Sequence, residues 1–157
     1  MRRAPAGGYT LVEMLVVMAL LGILAAAAMP LVELSAKRGK ERELKAALWE
    51  IRQAIDGYKN AHDRGLIGTV TPSGYPPALA VLVDGVENTG KPGAGRIYFL
   101  RRVPRDPFAP QDVAAERSWG LRSYASPPDR PQPGADVYDV HSTSSEVGMN
   151  GVPYSQW

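Results

Sequence analysis

From Met14 to Val32 the chain carries 19 residues without a formal charge. As a helix such a run rises about 28 Å, close to the ~30 Å hydrocarbon thickness of a bilayer. That single feature restricts the N-terminal region to a membrane span, a signal segment or the dry core of an assembly. Glu13 stands at the edge of the run, in GGYTLVEML, and no Lys or Arg lies between Arg3 and Lys37. A carboxylate placed there is costly in lipid and calls for a positive partner.

Three arrangements fit the N-terminus. In the first, Arg2 and Arg3 form the charged region of a secretory signal peptide, cut in Ala25-Ala26-Ala27-Ala28 to leave a soluble protein starting near Met29. The second is a plain uncleaved anchor. Neither accounts for Glu13. In the third, a peptidase cuts between Gly8 and Tyr9. The new amine on Tyr9 is then a cation one helical turn from Glu13, in the same chain or in a neighbouring parallel helix. Burying that pair offsets much of the desolvation that each charge would pay alone. Flanking charges do not orient the span unaided, because Lys37, Arg38, Lys40 and Arg42 follow it as Arg2 and Arg3 precede it. The short leader and the domain-like remainder favour an N-terminus inside the cell.

The residues Gly8-Tyr9-Thr10-Leu11-Val12-Glu13-Met14-Leu15-Val16-Val17 resemble the cleavage and methylation signature shared by type IV pilins and type II secretion pseudopilins. The resemblance implies cleavage after Gly8 by a membrane-embedded prepilin peptidase, N-methylation of Tyr9, and assembly through the helix with Glu13 and Pro30 as assembly residues. The usual first mature residue in the family is Phe, so Tyr9 is a departure that keeps a large ring.

Composition divides the remainder of the chain. Between Leu31 and Thr71 there is no proline, whereas 12 of the 14 prolines lie from Pro72 onward. This marks a helical stalk followed by a loop-rich head. Pro30 is expected to kink or interrupt the helix, with Gly39 as a softer break. Leu44, Leu48, Ile51, Ile55 and Tyr58, with Ala47, Ala54 and Ala61 beside them, recur at helical spacing and predict one apolar stripe. Glu43, Arg52 and Lys59 continue the polar side. The stripe is expected to pack on the head's own sheet, the alternative being helix–helix packing in a filament.

The expected organisation is thus a leader over 1–8, a hydrophobic helix over 9–33, an amphipathic helix over 34–64 and a globular head over 65–157. Within the head, Ala78 to Val83 reads as a short helix and Val86 to Gly95 as a flexible glycine-rich stretch. Trp119 to Ala125 and Val137 to His141 are the best strand candidates, separated by the loop Pro127 to Gly134. The fold class is α+β and pilin-like: a long N-terminal helix, membrane-spanning in its first half, packed on an antiparallel sheet of about three or four strands.

Tyr75-Pro76, Pro104-Arg105-Asp106-Pro107-Phe108, Trp119 to Tyr124 and Asp139-Val140-His141-Ser142 fall in the order found in major pseudopilins of type II secretion systems. The chain resembles these more than adhesive pilins, which usually end in a cysteine-bridged loop; it has no cysteine. The resemblance implies a single-pass protein of the bacterial inner membrane with a periplasmic head. It would polymerise with itself into a pseudopilus that drives export across the outer membrane, with minor pseudopilins and an inner-membrane assembly platform as partners. A pilin of a type IV pilus, used for motility, adhesion or DNA uptake, is the alternative. Major pseudopilins also hold calcium in an acidic C-terminal loop. Here Glu146 is the only acid between Ser142 and Gly151, with Asp139 and Asp136 just upstream. Asp139 and Glu146 are therefore candidates for at most a weak calcium site. Otherwise hydrogen bonds and burial of Tyr154 and Trp157 close the loop.

No enzymatic site is expected, nor any other cofactor. His62 and His141 are the only histidines and read as packed or surface residues. No nucleophile elbow, phosphate loop or zinc signature occurs. With 18 basic and 16 acidic residues, a net charge of +2 is too balanced for a nucleic-acid groove.

Overall fold

The computed structural model describes residues 10–90, 93 and 95–157, excluding the side chains of residues 27, 28 and 30. It has two compact units, the first ending at Gly39 and the second spanning Lys40–Trp157. One helix, α1, runs from Leu11 to Asp63 over 53 residues. Pro30 and Gly39 do not interrupt it, so of the kink or interruption expected at the proline the interruption does not occur. A long helix tolerates the loss of one backbone hydrogen bond where its remaining ladder is intact, and the fixed φ of proline is itself helical.

Thr10 starts the helix. Its hydroxyl accepts a hydrogen bond from the Glu13 N–H at 3.2 Å, satisfying a donor that has no partner within the helix. Every residue from Thr10 to Ala36 whose side chain is described is exposed. A helix apolar on all sides belongs in surroundings as dry as itself.

In the second unit the expected stripe is buried. Leu44, Leu48, Ile51, Ile55 and Tyr58, with Ala47, Ala54 and Ala61, join Leu79, Leu82, Leu100, Val103, Trp119, Val137, Val140 and Tyr154 in one core. The stripe thus packs on the head of its own chain. A second helix, α2 (Leu79–Asp84), buries Leu79 and Leu82 against it.

Among the described residues the strands form two pairs rather than one sheet of three or four. β1 (Val86–Glu87), which opens the stretch read as flexible, pairs antiparallel with β2 (Arg96–Ile97), just beyond its end. β3 (Trp119–Arg122) pairs antiparallel with β4 (Asp139–Ser142), with Leu121 opposite Val140. Both strands are shorter or shifted relative to the expected limits. Beyond Arg122, the Ser123 N–H turns to the Gln132 carbonyl. The prolines after Ser126 lack the donors that a longer ladder needs. At Gly120, opposite His141, a Cβ would lie 2.2 Å from the imidazole, so only glycine lets that ring lie across the strand.

Candidate functional site

The sequence-predicted site residues fall in two places. Gly8 and Tyr9 lie outside the described residues. Glu13 lies in the first turn of α1 and is exposed, beside Leu11, Val12, Met14 and Leu15, which are exposed as well. The helix macrodipole favours a carboxylate in that first turn. The Thr10-Leu11-Val12-Glu13 spacing is also that of a capping box. The hydrogen bond from the Glu13 N–H to the Thr10 hydroxyl is one half of that motif. Pro30 lies within the same helix. An 18-residue window of α1 is long and apolar enough to cross a membrane, and none of it is buried.

The C-terminal segment is held by two side chains of α1. Arg52, expected on the polar side, is only partly exposed. Its guanidinium donates to Asp139 Oδ1 at 2.8 Å, to the Val140 carbonyl at 3.2 Å and to the Trp157 main-chain oxygen at 2.7 Å. Glu41 Oε1 accepts from the Met149 N–H at 2.7 Å and from the Tyr154 hydroxyl at 3.0 Å. Burial first, then the Glu41 carboxylate, raises the Tyr154 pKa well above the ordinary phenol value. Phe108 stacks on Tyr154 with centroids 4.1 Å apart, and Trp157 meets Tyr154 edge-on at 5.0 Å. Periodicity alone does not show that Arg52 and Glu41 are clamps, because their partners lie about a hundred residues away.

The calcium candidates Asp139 and Glu146 stand in different surroundings. The Asp139 carboxylate is shared between Arg52 at 2.8 Å and Arg122 at 4.0 Å. Glu146 is exposed, and its carbonyl accepts the Tyr154 N–H. Among the described residues no three acidic, histidine or cysteine side chains converge, whereas calcium takes six to eight oxygens with several carboxylates. Two guanidiniums supply the charge that a cation would have brought to Asp139.

Two buried carboxylates explain head motifs whose role was not visible in the sequence. Asp106, in the PRDPF turn, accepts the Phe108 N–H at 2.8 Å and the Ser142 hydroxyl at 2.6 Å, tying that turn to β4. Asp136 accepts the Tyr124 N–H at 2.8 Å and the Ser73 hydroxyl. Burial opposes its ionisation. Hydrogen bonds from Ser73, Tyr124 and Ser123 outweigh that and hold its pKa below the usual carboxylate value. Tyr75, Tyr124 and Tyr138 cluster above it with centroids 5.0 to 5.6 Å apart. His62 touches the Thr69 hydroxyl at 3.0 Å, and His141 lies along Gly120. Both histidines are packing residues.

Residues 3–29 match the family model described as the prokaryotic N-terminal methylation motif. No curated protein and no solved structure matches the chain. The motif indicates a type IV pilin-like protein and implies processing by a prepilin peptidase with assembly into pili or pseudopili. Proteins with this motif are structural rather than enzymatic. With the apolar helix, it suggests membrane anchoring. The long helix and small antiparallel sheets form an α+β architecture of the pilin-like kind.

Proposed function

We propose that the chain is the major subunit of a type II secretion pseudopilus. A prepilin peptidase removes residues 1–8, the amine of Tyr9 is methylated, and α1 anchors the subunit in the bacterial inner membrane with the head in the periplasm. Subunits leave the bilayer and join the base of a filament, helped by an assembly platform and minor pseudopilins, and the growing filament drives export. The observation that carries this reading is the methylation motif set on a helix whose apolar surface is exposed on all sides. Such a helix is equally suited to lipid and to a filament core, so transfer between them costs little in desolvation.

Glu13 supplies register by meeting the Tyr9 amine of an adjacent subunit. Glu13→Ala should leave cleavage and membrane insertion intact and abolish filaments, as read by intact mass, membrane fractionation and electron microscopy. Normal filaments from that variant would refute the pairing. Mature protein starting at Tyr9 with an added methyl group is the expected mass, whereas a start near Met29 would overturn the whole reading. Deleting the protein separates the two filament classes: loss of secreted folded proteins supports the pseudopilus, and loss of motility, adhesion or DNA uptake with secretion intact supports a pilus.

A further inference from the structure

The chain has three asparagines, Asn60, Asn88 and Asn150, and a glycine follows only the last of them. Asn150 sits in a tight turn, where the Gly151 N–H meets the Gly148 carbonyl at 2.9 Å and the Gly148 N–H meets the Val152 carbonyl at 2.9 Å. Its Oδ1 accepts the Val152 N–H at 3.1 Å, so the side-chain amide folds back along the main chain. Gly151 holds φ at +79°, which glycine adopts without strain. Asn150 and Gly151 are exposed, as are Val147, Met149 and Val152 around them, so water reaches the turn. Asn88 makes the same local contact, its Oδ1 accepting the Gly90 N–H at 3.1 Å. The residue after it is Thr89, whose N–H is tied to the Leu66 carbonyl at 2.9 Å. Asn60 lies within α1, where the helix ladder fixes the amide that follows.

We propose that Asn150 is a site of spontaneous covalent modification in the folded protein, with Gly151 supplying the nucleophile and water the second reactant. Asparagine is among the thermolabile side chains. The Gly151 nitrogen attacks Asn150 Cγ. A new C–N bond forms, the Cγ–Nδ2 bond breaks, and ammonia leaves with the proton that the Gly151 amide gives up. Water then opens the cyclic imide at one of its two carbonyls, and nothing is oxidised or reduced. Opening at Cγ leaves aspartate. Opening at the main-chain carbonyl leaves isoaspartate, in which the backbone runs through Cβ and Cγ.

Two features separate Asn150 from Asn88. No Cβ at position 151 obstructs the attacking nitrogen, whereas Thr89 is β-branched. The Gly151 proton is held only inside its own turn, so a local opening frees it, whereas the Thr89 N–H is bonded to a distant segment. The isoaspartyl product inserts an extra backbone carbon, and the turn then cannot keep both of its main-chain bonds in register. Trp157 packs on Gly148, and Glu41 holds the Met149 N–H. The modification therefore loosens the C-terminal segment from the head. Aspartate keeps the chain length and an oxygen for the Val152 N–H, and leaves the segment in place.

Full-length protein in detergent, aged in mildly alkaline buffer with and without denaturant, tests this by peptide mass mapping with enzymatic isoaspartate labelling. In the folded protein isoaspartate should accumulate at position 150 more than about tenfold faster than at position 88. Aged protein should also be cut beyond Ser142 faster than fresh protein. Fresh Asn150→Asp and aged Asn150→Ser, whose hydroxyl can still accept the Val152 N–H, should stay as resistant as the fresh parent. Equal rates at 150 and 88, or product at 150 in denaturant alone, would overturn the site. Product at 150 with unchanged proteolysis overturns the loosening, and so does an aged Asn150→Ser that is cut as fast as the aged parent.

Discussion

Residues 11–34 and 44–61 belong to one helix and meet opposite fates. The first stretch exposes Leu11, Leu15, Leu20, Leu24 and Leu31 around its whole circumference, while the second buries Leu44, Ile51 and Ile55 and leaves Trp49 outside. Helical propensity does not separate them, since both are rich in Leu and Ala. What separates them is the spacing of polar residues. In the second stretch Glu50, Gln53, Asp56 and Asn60 confine the apolar surface to one stripe that a small head can cover. In the first, nothing polar intervenes for 19 residues, and no single small head could cover a cylinder. The first half therefore has to be covered from outside the subunit, and the second completes it.

That contrast can be tested by substitutions of falling effect. Ile51→Ala should lower the stability of the head by about 2–5 kcal/mol, the usual range for emptying a buried aliphatic site. Leu20→Ala should leave the same denaturant midpoint unchanged in detergent. Equal effects from the two would break the comparison. Arg52→Ala removes three hydrogen bonds to the C-terminal segment. The side chain is partly exposed and solvent screens the pair with Asp139, so a loss of about 1–2 kcal/mol is expected. Faster proteolysis beyond His141 should accompany it.

Asp136→Asn sharpens the picture within the head. The folded pKa of Asp136 is lowered, so its contribution is present above the ordinary carboxylate pKa and is lost as pH falls through the folded value. The variant should be less stable than the parent by about 1 kcal/mol at pH 7, and the difference should fade on acidification below about pH 4. Chemical denaturation at several pH values measures it, and a pH-independent gap would show that charge is not the cause. The smallest effect concerns Tyr58, whose buried hydroxyl has no hydrogen-bond partner among the described residues. Tyr58→Phe should leave stability unchanged or raise it by up to about 1 kcal/mol, because desolvation of that hydroxyl is uncompensated.

Much of the helix was legible in the sequence because helices are local. The run from Met14 and the 4, 3, 4, 3 spacing from Leu44 to Tyr58 each report on residues a turn apart. The short helix at Leu79–Asp84 and the strands around Trp119 and Val140 were legible for the same reason. Pairing was not. That Val86–Glu87 finds Arg96–Ile97, and that Trp119–Arg122 finds Asp139–Ser142, depends on contacts between residues apart in the chain. The partners of Arg52 were not legible, because a helical wheel places a side chain on a face without saying what the rest of the chain brings to that face.

Chain order alone therefore determined that this protein has a helix too apolar for water, a carboxylate at its edge within a methylation motif, and a proline-rich head. These are statements about neighbours along the backbone. Only the tertiary structure decided that Arg52 and Glu41 hold the C-terminal segment. It also decided that Asp139 is neutralised by guanidiniums, and that Val147, Met149 and Val152 stay exposed on a rigid turn. Each depends on contacts between residues far apart in sequence, whose geometry is set when the core closes.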